Sequence, residues 1–420
     1  MTNKKIKILT LGDHPLTPSG VGTQMRYIIE GMLRTGKYQF ISFAGLIKQK
    51  DYRPIRTKEF GEDWTIYPID GYGTQEMIRA MLWGERPDIV WFMTDPRFWG
   101  WLWQIEEEIR YNVPMIYYHV WDNYPYPIFN KPNYDSNDFI ATISKVTDDI
   151  VKTVSPNIKS QYVPHAVDLN IFKPLEETQR ELMRTDNFKN DKDKFVIFWN
   201  NRNARRKMGA SLIYWYKSFI DKVGHDNALL LMHTDPLDKA GPNLSALIAD
   251  LGINNGQVLF SKEKLAPENL AVMYGMSDCT INISDAEGFG LATLESLASG
   301  TPVIVNMTGG LQEQVTDGEN WFGIGLDPVS KAIVGSQEVP FIYEDRVNKD
   351  GVVTALEEMY NKTSDERKAL GLAGRKHVET NYNFDVFLKT WDEIFTAVHE
   401  QEGSWKTRKR KQNWTLKEVA

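Results

Sequence analysis

Short apolar runs rich in β-branched residues alternate with amphipathic stretches along most of the chain. In the first half these runs predict strands at residues 7–11, 39–44, 64–69, 88–93, 115–120, 139–144 and 161–164. Helical spacing of apolar residues lies between several of them, as at residues 23–34 and 74–83. Buried strands separated by helices indicate βαβ units and a parallel sheet covered on both faces.

The pattern breaks at residues 169–194, which are polar, charged and poor in strand formers. Apolar runs then resume and predict strands at residues 195–200, 228–233, 257–261, 279–283 and 302–306. Apolar side chains at helical spacing indicate a last helix at residues 384–400. The sequence therefore predicts two α/β domains in series. Because open α/β sheets bind ligands at the carboxyl ends of their strands, we expect a cleft between the domains.

These breaks define the predicted domains. Residues 1–170 form the N-terminal domain, residues 171–194 a linker, and residues 195–383 the C-terminal domain. Residues 404–420 form a basic tail. One interpretation of this tail is a disordered, solubilising end. The other is contact with an anionic membrane or with nucleic-acid phosphates.

Composition narrows the class of protein. The 420 residues include 49 Lys and Arg against 56 Asp and Glu, and the net charge of −7 argues against a protein that coats nucleic acid. A single cysteine, Cys279, excludes a disulfide framework and fits a reducing compartment. The first apolar run is too short for a secretory or membrane-spanning segment. We expect a cytoplasmic protein, with peripheral membrane association through the tail as the alternative.

The segment of residues 285–304 carries the strongest chemical signal. It combines a strand end, a turn with Gly288 and Gly290, and a helix. Glycines at such a turn let backbone N–H groups approach an anion, and a helix N-terminus adds partial positive charge. Glu287 and Glu295 flank this site and suit hydrogen bonds from sugar hydroxyls on either side of a diphosphate. The alternative is that Glu287 caps the helix and Glu295 is a surface charge.

The stretch from Glu287-Gly-Phe-Gly-Leu to Glu295 resembles the two-glutamate motif of retaining glycosyltransferases, especially glycosyltransferase family 4, which has the GT-B fold. Ala298-Ser-Gly-Thr-Pro-Val-Ile, followed by Gly309-Gly310 and Glu313, continues the resemblance. The resemblance implies that Glu287 contacts the donor sugar and Glu295 the ribose. It assigns the diphosphate to the backbone amides of Phe289, Gly290 and Leu291.

Further positions match the family pattern and have implied roles. Arg202 and Lys207 have the family's Arg–Lys spacing and would stabilise the leaving diphosphate, although the register Arg206/Lys207 stays open. His119, at a strand end, would lie close to the sugar. The remaining implied donor contacts are Gly20 and Gly22 in the N-terminal loop, and Ser261 and Lys262 near the nucleobase.

The resemblance implies two Rossmann-like doubly wound domains facing across a cleft, with helix 384–403 crossing back to the N-terminal domain. It implies a retaining glycosyltransferase, for hexosyl or pentosyl groups, that moves a sugar from a nucleotide-diphosphate sugar to a hydroxyl without metal or further cofactor. The acceptor class stays open between glycan, lipid, small metabolite and DNA base. The alternatives are transfer to a hydroxylated base in DNA, a GT-B nucleotide-sugar epimerase, and a non-catalytic binding module.

Tryptophan and tyrosine concentrate between residues 91 and 126, in the half that the resemblance assigns to the acceptor. Aromatic faces stack on sugars and bases, so Trp121 and Tyr124 are candidate acceptor contacts. For most of the tryptophans in this region the favoured interpretation is a packed core.

Overall fold

The computed structural model describes residues 4–409, except residues 47, 49, 122 and 123. Residues 410–420, most of the predicted basic tail, lie outside the described residues. Two α/β domains share this range, and each contains one large sheet with helices on both faces. No helix within these residues is both long and apolar enough to cross a bilayer.

The N-terminal domain contains an eight-stranded sheet with the order β3-β4-β2-β1-β5-β6-β7-β8. Neighbouring strands are parallel except β3 and β4. Its strands are β1 (Ile6–Asp13), β2 (Tyr38–Gly45), β3 (Ile55–Arg56), β4 (Trp64–Pro68), β5 (Ile89–Thr94), β6 (Met115–His119), β7 (Phe139–Thr142) and β8 (Ser160–Tyr162). Its helices are α1 (Gly20–Arg34), α2 (Gln75–Glu85), α3 (Gly100–Trp103), α4 (Glu106–Arg110), α5 (Lys131–Asp135) and α6 (Lys145–Val154).

The C-terminal domain contains a six-stranded parallel sheet with the order β11-β10-β9-β12-β13-β14. The segment begins with α7 (Glu177–Phe188), β9 (Phe195–Asn200), α8 (Gly209–Val223), β10 (Ala228–His233), α9 (Leu244–Asp250), β11 (Val258–Ser261), α10 (Pro267–Met276) and β12 (Cys279–Asn282). It continues with α11 (Leu291–Ala298), β13 (Val303–Asn306), α12 (Leu311–Val315), β14 (Gly323–Leu326), β15 (Ser330–Val334), β16 (Ile342–Arg346), α13 (Lys349–Asn361), α14 (Ser364–Asn381) and α15 (Phe384–Glu402).

Helix α15 returns from the C-terminal domain to the N-terminal one, as expected. Its Trp391 packs edge-on against Trp91, with ring centroids 5.3 Å apart. The hydroxyl of Tyr38 donates a hydrogen bond to Asp392, at 2.7 Å. The helix begins at Asn383, whose side chain accepts from the backbone N–H of Val386. This capping bond satisfies one of the N–H groups that a helix start leaves without an intrahelical partner.

The segment of residues 171–194 is more than the predicted linker, because it contains helix α7. Arg184 of this helix is buried and donates to the carbonyl oxygens of Lys192 and Met276, at 2.7 and 2.8 Å. It also forms an ion pair with Asp278, at 3.1 Å. A polar sequence therefore packs against the C-terminal domain because a guanidinium group satisfies buried carbonyl groups.

The predicted tail also starts too early, since residues 404–409 pack against the N-terminal domain. Arg408 is buried and forms ion pairs with Asp138 at 2.9 Å and Glu402 at 3.1 Å. The indole N–H of Trp405 donates to the carbonyl of Pro87, at 2.8 Å. Arg408 thus has buried acidic partners, and residues 404–409 belong to the folded domain.

Strands β15 and β16 form an antiparallel hairpin separate from the two large sheets, and the sequence analysis did not predict it. The hairpin leaves the C-terminal domain between β14 and α13 and reaches the N-terminal domain. There the N–H of Tyr343 donates to the carbonyl of Tyr124, at 2.8 Å. The rings of Phe341 and Phe129 pack edge-on, with centroids 5.6 Å apart.

Candidate functional site

A cleft of about 590 Å³ lies between the two domains. Its N-terminal wall comes from the start of α1 and from residues after β8, and its C-terminal wall comes from strand ends and the start of α11. The lining residues are Pro18, Ser19, Gly20, Thr23, Gln24, Tyr27, Ala166, Val167, Phe172, Asn200, Arg202, His233, Lys264, Leu265, Pro267, Leu270, Leu291, Ala292 and Glu295. The cleft therefore lies where the two parallel sheets were expected to place a ligand.

The motif turn brings β12 to the start of α11. Gly290 caps this helix in the left-handed region, with φ of +94°, which favours glycine. A Cβ on Gly310 would lie 2.7 Å from backbone atoms of Phe289, so the following loop also needs a glycine. The side chain of Gln314 donates to the carbonyl of Phe289, at 2.8 Å. Gly310 and Gln314 thus pack against the turn at Phe289. The N-terminus of α11 lines the cleft through Leu291.

Glu287 and Lys207 form an ion pair in which the Lys207 ammonium group donates to the carboxylate. Arg206 lies beside them and donates to the carbonyl of Ala286. Burial alone would raise the pKa of Glu287, but Lys207 and Arg206 hold it below its usual value. The structure therefore brings together the predicted acid and the predicted lysine, with the acid ionised.

Glu295 lies within α11, in a different environment. Its carboxyl group accepts a hydrogen bond from the hydroxyl of Tyr274, at 2.8 Å, which in turn accepts from the amide of Asn200, at 2.8 Å. Burial raises the pKa of Glu295 to about 7. Glu295 lines the cleft, and a ligand hydroxyl could reach its carboxyl group there.

Arg202 lines the cleft as well, but its guanidinium group pairs with Asp238, at 2.7 and 3.1 Å. The Arg202 side chain is 69% exposed, so this pair is held in water and contributes little to stability. Arg205, the neighbouring cation, pairs with the buried Glu344. The four basic residues of this segment therefore have four different acidic or carbonyl partners: Asp238 for Arg202, Glu344 for Arg205, the Ala286 carbonyl for Arg206 and Glu287 for Lys207.

The N-terminal loop meets the motif helix across the cleft. Ser19 donates to Asp13, at 2.6 Å, and accepts from the N–H of Gly22, at 2.9 Å. A Cβ on Gly22 would lie 2.8 Å from the carbonyl oxygen of His14, and one on Gly20 would lie 3.2 Å from the side chain of Leu291. Both predicted glycines thus stand where the backbone approaches another group closely.

His119, which the resemblance assigns to a position close to the sugar, does not line the cleft. It is fully buried, and its two ring nitrogens bond the hydroxyls of Tyr117 and Tyr134, at 3.0 and 2.8 Å. Burial lowers its pKa to about 3. The strand end that carries His119 is covered by aromatic side chains, so the imidazole is neutral and held inside the domain.

Ser261 and Lys262 do not line the cleft, whereas Lys264 and Leu265 just after them do. Ser261 is instead within hydrogen-bonding distance of His233, at 2.9 Å between Oγ and Nδ1. His233 lines the cleft at the end of β10. In this loop the residues that line the cleft thus lie two and three positions after Lys262.

The candidate acceptor residues differ in exposure. Trp121 is buried and packs near Phe129, with ring centroids 6.1 Å apart. Tyr124 is partly exposed, and its hydroxyl donates to Asp149, at 2.8 Å. Most tryptophans of this region are core residues, as predicted: Trp91, Trp99, Trp103 and Trp121 are all buried.

Sequence reasoning missed several cleft residues, above all Asn200, His233 and Tyr27. Asn200 and His233 end strands β9 and β10, so the strand pattern alone could have pointed to them. Tyr27 lies within α1 and carried no such signal. Within the described residues, no group of three His, Cys, Asp or Glu side chains has the arrangement of a metal site.

Residues 179–376 match the family described as Glycosyl transferases group 1. The match includes Lys207, Glu287 and Glu295, the residues that meet at the motif turn and the cleft. This part of the chain is a group 1 glycosyltransferase domain. The resemblance to glycosyltransferase family 4 is thereby confirmed.

Curated relatives match the glycosyltransferase domain in part. A D-inositol 3-phosphate glycosyltransferase of Acidothermus cellulolyticus is 42% identical over 90 residues, which cover 21% of this chain and 20% of the relative. An N-acetyl-alpha-D-glucosaminyl L-malate synthase of Bacillus anthracis is 22% identical over 238 residues, or 56% of this chain and 58% of the relative. The chain thus spans between a fifth and about three fifths of the length of these relatives.

Solved structures match nearly the whole chain in fold. A sucrose-phosphate synthase from Thermosynechococcus elongatus has a TM-score of 0.73 at 16% identity, covering 94% of this chain and 100% of that one. The Anabaena protein HepE, solved in complex with UDP-glucose, has a TM-score of 0.68 at 13% identity, covering 93% and 99%. The glycosyltransferase domain is therefore part of a GT-B fold, as expected.

Proposed function

We propose that this protein is a retaining glycosyltransferase that moves a hexosyl or pentosyl group from a nucleotide-diphosphate sugar to an acceptor hydroxyl. The observation that carries the proposal is the pairing of Lys207 with Glu287 at the turn that opens α11, beside a cleft that Glu295 and Arg202 line. Positive side chains, a helix N-terminus and two acids suit a diphosphate with a sugar at each end.

The two acids suit different parts of the donor. Glu295 faces the cleft, and ribose hydroxyls would donate to its carboxylate there. Glu287 lies in the turn that precedes α11, beside Lys207, and suits the hydroxyls of the transferred sugar. The backbone amides of Phe289, Gly290 and Leu291 would meet the diphosphate between them.

Catalysis then depends on charge at the leaving diphosphate. Negative charge grows on this group as the glycosidic bond breaks, and fixed cations stabilise that growth more than they stabilise the ground state. Lys207 is already oriented by Glu287. Arg202 is exposed and pairs with Asp238, so it would exchange that partner for a phosphate oxygen at little cost. In this proposal the chain's own cations act in place of a metal ion.

A panel assay tests the proposal. The protein is incubated with common UDP-, GDP- and TDP-sugars, each with glycan, lipid, small-metabolite and hydroxylated-DNA acceptors, and products are identified by mass spectrometry. We expect one donor to give a glycosylated product, in EDTA as well as without it. NMR of the product should show the anomeric configuration of the donor.

A matched pair of variants ties the activity to the site. Glu287→Gln removes the charge beside Lys207 and should lower turnover by about 10²-fold or more. Glu263→Gln removes an exposed charge outside the cleft and should leave turnover unchanged. Absence of product with every donor, together with no heat of binding for UDP, GDP or TDP, would overturn the proposal. An inverted product would overturn retention alone.

A further inference from the structure

The hairpin of β15 and β16 attaches to the C-terminal domain through buried charges. Glu344, on β16, has a side chain that is only 3% exposed. Its carboxylate accepts from Arg205, at 3.0 Å for one of two bonds, and from Arg346, at 2.5 Å. Burying a carboxylate is unfavourable unless cations and hydrogen bonds satisfy it, and here two guanidinium groups do so.

The same guanidinium groups face Asp285, which is fully buried at the beginning of the motif turn. Arg346 approaches its carboxyl group at 3.4 Å and Arg205 at 4.0 Å. Neither carboxyl oxygen of Asp285 accepts a hydrogen bond from a residue that the structure describes. Asp285 therefore depends on the hairpin and on Arg205 for its charge balance.

These contacts place the hairpin on both segments that form the proposed donor site. Arg205 begins the short turn that ends at Lys207, and Asp285 precedes Glu287 by two residues. Backbone bonds join the segments further: the N–H of Asp285 donates to the carbonyl of Arg206, at 2.8 Å, and the N–H of Asp345 to the carbonyl of Asp285, at 2.8 Å. The hairpin thus contacts both segments that carry the Lys207–Glu287 pair, two residues before each member of the pair.

The far side of the hairpin rests on the N-terminal domain. Tyr343 and Phe341 contact residues Tyr124 and Phe129 there, and Val339 packs into the core of that domain. The hairpin therefore contacts the motif turn of the C-terminal domain and the loop of residues 124–130 of the N-terminal domain. A change in the relative position of the domains would be transmitted to Asp285 and Arg205.

We propose that Glu344 is a positioning residue for the transfer reaction: by holding Arg205 and Arg346 over Asp285, it aligns the Lys207–Glu287 pair with the N-terminal domain. This inference rests on the proposed function. Glu344 itself does not line the cleft, so it acts through its neighbours and touches no substrate. Its loss should lower the rate of sugar transfer and leave donor binding intact.

The test compares Glu344→Gln with Glu338→Gln, an exposed acid on the turn of the same hairpin. UDP-glucose, or the nucleotide sugar with the highest turnover in the panel assay, is used as donor. Because small misplacements of catalytic groups are costly, we expect Glu344→Gln to lower kcat about tenfold or more, with the donor KM changed less than about twofold. Glu338→Gln should match the unchanged protein in both parameters.

Hydrogen exchange gives a readout that needs no donor. In Glu344→Gln, backbone amides of residues 124–130 should exchange faster, because the hairpin no longer holds that loop, while those of α15 stay unchanged. If Glu344→Gln does not fold, Phe341→Ser decides the matter, since Phe341 is 43% exposed and its loss spares the buried charges. Phe341→Ser should also speed exchange in residues 124–130 and lower kcat.

The outcomes separate the two proposals. An unchanged kcat in a folded Glu344→Gln protein, or unchanged exchange at residues 124–130, overturns the role of Glu344 and leaves the proposed function standing. A parallel fall in kcat and in the number of nucleotide-binding sites would show loss of folded protein, and Phe341→Ser then decides: unchanged kcat and unchanged exchange in that variant overturn the positioning role. If the protein without substitutions binds no nucleotide and turns over no donor, both proposals are overturned.

Discussion

The carboxyl ends of the strands in the two domains have the same parallel topology but different chemistry. In the C-terminal domain these ends carry ion pairs, such as Lys207 with Glu287 and Arg202 with Asp238. In the N-terminal domain the end of β6 instead carries a buried imidazole, that of His119, held between the hydroxyls of two tyrosines. The topology thus fixes where a ligand can bind, and the side chains determine which domain can hold an anion.

The largest expected effect removes the central charge of the C-terminal site. Lys207→Met should lower kcat by about 10²–10³-fold, the usual result of losing one stabiliser of transition-state charge. Steady-state kinetics with the best donor measures it. Lys239→Met, which removes an exposed lysine beside Asp238, should change kcat little. If Lys207→Met retained the turnover of the protein without substitutions, the ion pairs at the strand ends of the C-terminal domain would not take part in catalysis.

The next effect concerns the stability of the N-terminal domain. Ending the chain at Gly403 removes Arg408 and leaves Asp138 and Glu402 without that cation. Breaking a buried ion pair on one side should lower the free energy of unfolding by about 3 kcal/mol. Urea unfolding measures the change against a chain that ends at Lys409. Equal stability of the two chains would show that residues 404–409 contribute nothing.

The contributions of Glu287 and Glu295 to the stability of the protein should depend differently on pH. The folded-state pKa of Glu295 is raised to about 7, so the stability it adds is full below its unfolded pKa and is lost as pH rises toward 7. Relative to the protein without substitutions, the free energy of unfolding of Glu295→Gln should increase by on the order of 2 kcal/mol between pH 5 and pH 8, as measured by thermal unfolding. The lowered pKa of Glu287 predicts no such gain for Glu287→Gln over this range. Matching pH profiles for the two variants would remove the distinction.

The smallest expected effect lies at His119, on the neutral side of the comparison. His119→Phe leaves the Tyr134 hydroxyl without its imidazole partner and should cost about 1–2 kcal/mol of stability. The kcat of the folded variant should stay within about threefold, because the imidazole is fully buried and does not line the cleft. A much larger loss of kcat without loss of stability would place His119 in the reaction after all.

Hydrophobic patterning predicted the twelve strands it named within two residues at either end, and two of them, β9 and β10, with matching bounds. It missed β14, whose Gly323 and Gly325 weaken the apolar signal, and the hairpin, where charged residues alternate with apolar ones. It also missed α7, because Arg184 is buried by backbone carbonyl groups that lie far away in sequence. Local patterns cannot report a partner of that kind.

The sequence by itself determined the parallel strands of the two sheets, the motif turn and the last helix, α15. These follow from local periodicity and from glycines that set backbone conformation, and neighbouring residues carry both signals. Only the tertiary structure decided that Lys207 meets Glu287, that His119 is buried in the core, and that Glu344 and Asp285 share two arginines. Each of these depends on which charges and hydroxyls meet across distant segments. Burial then sets the ionisation of the groups that meet, and periodicity carries no signal of it.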